Sequence, residues 1–126
     1  MVTSSGTIAI VDDDAAVRDS VKFLLETEGF SVETFASAHD FLNRFSEAQE
    51  HFSRLIVDHH MPNVTGLDLV NQLRTGGHSI AVMLITAGLT PAISRTAAEI
   101  GIEKVLAKPV SDDELVAFAS QAEPSH

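Results

Sequence analysis

The sequence predicts an α/β fold, an open parallel sheet of five strands with helices on both faces, and three observations carry that expectation. Five short aliphatic segments recur along the chain: TIAIV (7–11), SVETF (31–35), RLIV (54–57), IAVMLI (80–85) and KVLA (104–107). Three of them are almost wholly apolar instead of alternating, the pattern of strands covered on both faces. Between them run segments with apolar residues at helical spacing, and a β-α unit repeated about five times favours a parallel sheet with right-handed crossovers.

The elements follow in order. The first strand runs into Asp12-Asp13-Asp14, and Asp14 reads as the N-cap of a helix whose Val17, Val21, Leu24 and Leu25 form one apolar stripe. Gly29 suits its stop. The second strand carries Glu33, which suits an edge, and Ser37 opens the second helix. The third strand leads to Asp58-His59-His60, Met61-Pro62 and Gly66 read as loop punctuation, and Thr65 caps a helix with Leu67, Val70 and Leu73 as its buried stripe. After the fourth strand come Thr86-Ala87, then Thr90 and Pro91 at the start of a helix bearing Ile93, Ala97 and Ile100, ended by Gly101. The fifth strand exits into Lys108-Pro109, and Ser111 to Glu114 spells a capping box. One domain over 1–126 is expected, with a core of about 7–121 and loose tails at MVTSSG and QAEPSH.

Composition narrows the partners. The chain has 126 residues, 44% of them apolar, enough for a real core. Its net charge of −10, from 18 acids against 8 bases, offers no cationic face to nucleic acid. With no cysteine there is no disulfide and no thiolate ligand. The N-terminus has no signal-like pattern, and the longest apolar run, near Ile80 to Ile85, is far short of the ~18 residues a span requires. A cytoplasmic protein without membrane contact is expected.

In such a sheet, ligands sit beyond the carboxyl ends of the strands, where strand order reverses. Asp12, Asp13, Asp58, Thr86 and Lys108 all leave strands at that end. Two carboxylates about 4 Å apart repel by roughly 4 kcal/mol at an effective dielectric of about 20, so such a group must bind protons or a cation. Magnesium suits oxygen donors and commonly binds through one or two carboxylates together with a phosphate. A carboxylate can accept a phosphoryl group when metal and positive side chains neutralise the transferring oxygens. Adjacent His59 and His60, lacking a third nitrogen or sulfur ligand, make a poor zinc or copper site. They are expected to border the acidic pocket, where neighbouring carboxylates favour their protonated forms.

These residues carry a resemblance. Asp-Asp at 12–13, Asp-x-x-Met-Pro-x-x-x-Gly at 58–66, Thr-Ala at 86–87 and Lys-Pro at 108–109 resemble a response-regulator receiver domain of the two-component systems, over about Ile8 to Ala119. The stretch VDDDAAVRDSVKFLLETEGFSVETFASAHDFL (11–42) is similar to receivers of LuxR/FixJ-type regulators. The resemblance implies a CheY-like, flavodoxin-like doubly wound sheet in the order 2-1-3-4-5, the order known for the chemotaxis receiver. It further implies that Asp58 accepts a phosphoryl group from a sensor histidine kinase, a histidine phosphotransfer protein or acetyl phosphate. Asp12, Asp13, Asp58 and the backbone carbonyl of His60 would hold Mg2+, with Mn2+ as substitute. Lys108 would pair with the phosphoryl group, Thr86 would be the switch hydroxyl, and the Lys108-Pro109 bond would be cis. His60 stands where receivers tune hydrolysis of the phosphoryl group, so His60 is expected to change the lifetime of the phosphorylated state and Gly88 to leave the attacking water's path open. The domain would catalyse its own phosphorylation and dephosphorylation, without turnover of external substrates.

One departure concerns output. Receivers usually carry Tyr or Phe three residues before the last lysine, and this chain has Val105. The usual aromatic relay is therefore absent. Alternatives remain open: a metal-dependent phosphatase, a receiver that binds partners without phosphorylation, and the N-terminal part of a DNA-binding regulator. A homodimer is compatible with each receiver reading.

Overall fold

The computed structural model describes residues 6–121, so the expected tails fall almost wholly outside the described residues. The chain runs β1 (Thr7–Val11), α1 (Ala15–Thr27), β2 (Val32–Phe35), α2 (Ala38–Glu47), a 3-10 turn (Gln49–His51), β3 (Phe52–Asp58), α3 (Gly66–Thr75), β4 (Ala81–Thr86), α4 (Pro91–Glu99), β5 (Lys104–Ala107) and α5 (Asp112–Ser120). All neighbouring strands pair in parallel, in the order β2-β1-β3-β4-β5. The expected fold class and strand order are both found.

The apolar strands are explained by a core on each side of the sheet. Ala9, Val11, Leu55, Val57, Val82 and Leu84 pack against α2, α3 and α4, while Ile8, Ile10, Ile56, Met83 and Ile85 pack against α1 and α5. Successive residues point to opposite faces, so burying both faces requires a hydrophobe at nearly every position. Glu33 does sit on an edge strand. Four rings that the sequence reading had not grouped, Phe35, Phe41, Phe45 and Phe52, pack with centroids 5.3–6.3 Å apart beneath α2.

Helix starts follow the predicted caps. Asp14, Ser37, Thr65, Thr90 and Ser111 each accept a backbone N–H from the first turn of α1 to α5 respectively. The reciprocal capping box differs from expectation: it forms at Thr65 and Asp68. Ser111 accepts from the Glu114 amide, but its Oγ, not its backbone, meets the Glu114 carboxylate. Gly29 and Gly101 follow α1 and α4 with φ of +98° and +75°, a conformation that lets the next amides return to the last turn.

Two arginines close the sheet's far end and edge. Arg54, buried on β3, donates from Nε to the carbonyl of Phe118 at 3.0 Å and from Nη2 to that of Gln121, fixing the end of α5. At the β2 edge, Arg44 donates to both Glu33 oxygens at 3.0 and 3.1 Å, and His51 Nε2 lies 2.7 Å from Oε2. The Arg44 hydrogen bond holds the Glu33 carboxyl below its ordinary 4.5, against the opposing effect of burial. Its contribution is therefore complete above the ordinary value and lost as pH falls through the lower folded value. Replacing Glu33 by Gln should cost under about 1 kcal/mol at neutral pH, the scale of a partly exposed pair. Urea midpoints followed from about pH 7 to about pH 3 should then fall less steeply in the variant than in the native chain.

Candidate functional site

The chain leaves β1 for β2 on one side and returns to β3 on the other, so the carboxyl ends of β1 and β3 flank a crevice. Val11 pairs with Val57, and the residue that follows each in the chain is an aspartate. Asp12 and Asp58 thus stand side by side, each only 4% exposed, while Asp13 reaches solvent beside them. Oxygens of the three carboxylates lie within 4.8 Å of one another. This group includes no histidine.

Local structure locks these acids in place. Asp12 receives the Asp14 amide on Oδ1 at 2.9 Å, and its carbonyl accepts from Arg18 Nη1 at 2.7 Å. Burial pushes its carboxyl above the ordinary range; the Asp14 amide opposes this, and the charges of Asp58 and Asp13 add to it while Lys108 subtracts. Asp58 Oδ1 receives the His60 amide at 3.3 Å and lies 3.5 Å from Lys108 Nζ. Lys108 is placed by its own amide, which donates to the Thr86 carbonyl at 2.9 Å, and the Lys108-Pro109 bond is cis as expected. One lysine against three carboxylates leaves the pocket strongly anionic, and an all-oxygen donor set fits a hard dication.

Gly66 proves to be more than punctuation. A Cβ there would lie 2.7 Å from Leu84 Cδ1, 2.8 Å from the Asp58 carbonyl and 2.9 Å from His59 Cα. Two of those neighbours are backbone, so the first turn of α3 approaches the end of β3 only without a side chain.

The histidines differ from each other. His59 is half-buried, and burial together with His60 lowers its pKa despite Asp58 and Asp68, which corrects the expectation that nearby carboxylates would favour its charged form. His60 is exposed, yet its Nε2 lies 2.8 Å from the hydroxyl of Thr86. Thr86 itself is fully buried, and its Oγ1 also accepts the Gly88 amide at 3.1 Å. No spacing rule links residues 60 and 86, and the sequence carried no signal for that contact. Next to the acids, a largely apolar groove of about 410 Å³ opens between α1 and α5, lined by Val17, Val21, Leu24, Val110 and Leu115, with Asp12 and Lys108 at its mouth.

The model of the response regulator receiver domain matches residues 8–120. The chain belongs to that family. Among similar proteins, FixJ of Bradyrhizobium diazoefficiens, named as a transcriptional regulatory protein, is 32% identical over 98% of this chain and 62% of its own length. The response regulator TodT of Pseudomonas putida is 33% identical over 92% of this chain and 50% of its own. The receiver thus spans about half to three-fifths of these relatives. Solved structures agree. A receiver domain protein from Clostridium thermocellum superposes with a TM-score of 0.84 at 27% identity over 90% of both chains. FixJ-N superposes at 0.81 and 28% identity, covering 98% of this chain and all of that one. Receiver domains of two-component systems interact with histidine kinases. Among the described residues of this receiver, no helix is long and apolar enough to cross a membrane.

Three outcomes follow from this geometry. Gly66→Ala should destabilise the receiver by about 1–3 kcal/mol, measured as a drop in the urea midpoint, because backbone atoms must move to admit the methyl group. Because the native fold holds an Asp12 carboxylate that resists ionisation, Asp12→Asn should raise the melting temperature without divalent cations by a few degrees, the shift that about 1 kcal/mol produces in a domain of this size. The same variant should gain less from added Mg2+ than the native chain.

Proposed function

We propose that Asp58 is the phosphoacceptor of this receiver, and that the chain signals by taking a phosphoryl group from a sensor histidine kinase or a histidine phosphotransfer protein. The observation that carries this reading is the convergence of Asp12, Asp13, Asp58 and Lys108 on one rim, with the Lys108 amine 3.5 Å from Asp58 Oδ1. An Asp58 oxygen attacks phosphorus, a P–O bond forms, and the P–N bond of the donor phosphohistidine breaks, returning its electron pair to the imidazole. With acetyl phosphate as donor, the bond that breaks is P–O. Lys108 balances charge on the transferring oxygens, and the Thr86 hydroxyl supplies a hydrogen bond to one of them.

Asp12, Asp13, Asp58 and the backbone carbonyl of His60 are the groups that would hold Mg2+, or Mn2+ in its place. The fit is supported by the clustered carboxylate oxygens and by the raised affinity of Asp12 for a proton, which a dication would replace. Bound there, the ion would neutralise charge on the phosphoryl oxygens and permit an anionic nucleophile to approach an anionic donor.

The groove between α1 and α5, with Asp12 and Lys108 at its mouth, offers apolar surface beside the acids for a helical partner carrying the donor. The net charge of −10 argues against direct contact of this domain with nucleic acid. Likeness to FixJ, a transcriptional regulatory protein of which this chain spans 62%, supports a receiver that governs an output module; a cytoplasmic location and a homodimer belong to the same proposal.

Incubation with acetyl phosphate and Mg2+, followed by intact mass, tests the reading directly. One added phosphoryl group is expected on the native chain, none on Asp58→Asn, and none after chelation of the metal. An unchanged native mass, or a modification that persists in the variant, would contradict it.

A further inference from the structure

The Thr86 hydroxyl, at the end of β4, meets a side chain from the loop that follows β3. It offers one hydrogen and two lone pairs. The Gly88 amide occupies a lone pair at 3.1 Å, and the other partner given to it among the described residues is His60 Nε2 at 2.8 Å. Thr86 is fully buried, and a buried O–H without an acceptor would lose the whole of its solvation. The hydrogen therefore goes to the ring. Donation to Nε2 requires the tautomer that leaves Nε2 bare and carries the ring proton on Nδ1.

We infer that His60 is a positioning residue for Thr86, whose side chain accepts the threonine hydroxyl hydrogen and holds it committed to the β3–α3 loop until a phosphoryl oxygen on Asp58 takes it. The inference rests on the proposed role of Asp58, and it concerns the orientation of the threonine, not the access of water. Competition is direct, because one hydrogen cannot serve two acceptors at full strength. A phosphoryl oxygen must displace the ring, and the ring is then released at an exposed position. A Cβ added at Gly88 would lie 3.9 Å from His60 Nε2, an ordinary van der Waals contact, so Gly88 borders the ring. Val105 is half-buried and has no ring with which to follow Thr86. His60 therefore gives this receiver a surface group whose hydrogen bond reports what the buried hydroxyl is doing.

Affinity for beryllofluoride with Mg2+, a stable mimic of the phosphoryl group, reads this competition. The native chain should bind, and His60→Ala should bind roughly 3–10-fold more tightly, the weight of one net hydrogen bond. His60→Gln, whose amide oxygen can accept the same hydrogen, should return toward the native affinity. In a Thr86→Ala background, His60→Ala should change nothing. Nitrogen NMR of the metal-free native chain should show His60 protonated on Nδ1 and not on Nε2. No binding by the native chain would overturn the reading of Asp58, and this inference with it. Binding that His60→Ala leaves unchanged or weakens, the same gain without the Thr86 hydroxyl, or a proton on Nε2 would overturn the role of His60 alone.

Discussion

Mutual repulsion among Asp12, Asp13 and Asp58 is the constraint on which the rest of the structure depends. Two of these acids are nearly buried, and carboxylates this close remain charged together only if the scaffold holds them and a cation compensates. The parallel sheet provides the hold. Register places Asp12 and Asp58 side by side at the ends of β1 and β3, and neither strand can slip without turning its inward residues into the opposite core. Lys108, delivered by the exit of β5, supplies one positive charge, which leaves room for a dication.

The supporting parts answer the same constraint. Arg18 and the Asp14 amide tie the first acidic loop, Gly66 lets α3 close over the end of β3, and the cap at Thr65 starts that helix at the required place. At the opposite end, Arg54 takes up the final carbonyls of α5, well away from the acids. The acid rim is thus built on rigid strand ends, while the groups able to change partners, Thr86 and His60, lie on the strand end and loop above them.

Much of this was legible in the chain. Strands buried on both faces must be apolar at almost every position, and IAVMLI and RLIV display that directly. Caps are local, so Asp14, Ser37, Thr65, Thr90 and Ser111 could be read from single residues. The rim residues were legible because each follows a strand, and topology brings parallel strand ends together. What escaped was tertiary. The Phe35, Phe41, Phe45 and Phe52 cluster joins three elements; the Gly66 approach depends on an interatomic gap; and His60 meets Thr86 across 26 positions. The charge state expected of His59 failed because burial outweighed the nearby carboxylates, and burial cannot be read from a loop sequence. Val105 was visible as a departure, but the contact of His60 with the Thr86 hydroxyl was not.

Paramagnetic broadening of amide NMR signals by trace Mn2+ tests the central claim most directly, since it locates the ion without assuming its chemistry. The account predicts selective loss of signals at residues 12–14, 58–60, 86–88 and 107–109, reversed by excess Mg2+. Broadening spread over other acidic surface, such as Glu47 to Glu50 or Asp112 to Glu114, with the rim signals intact, would contradict it.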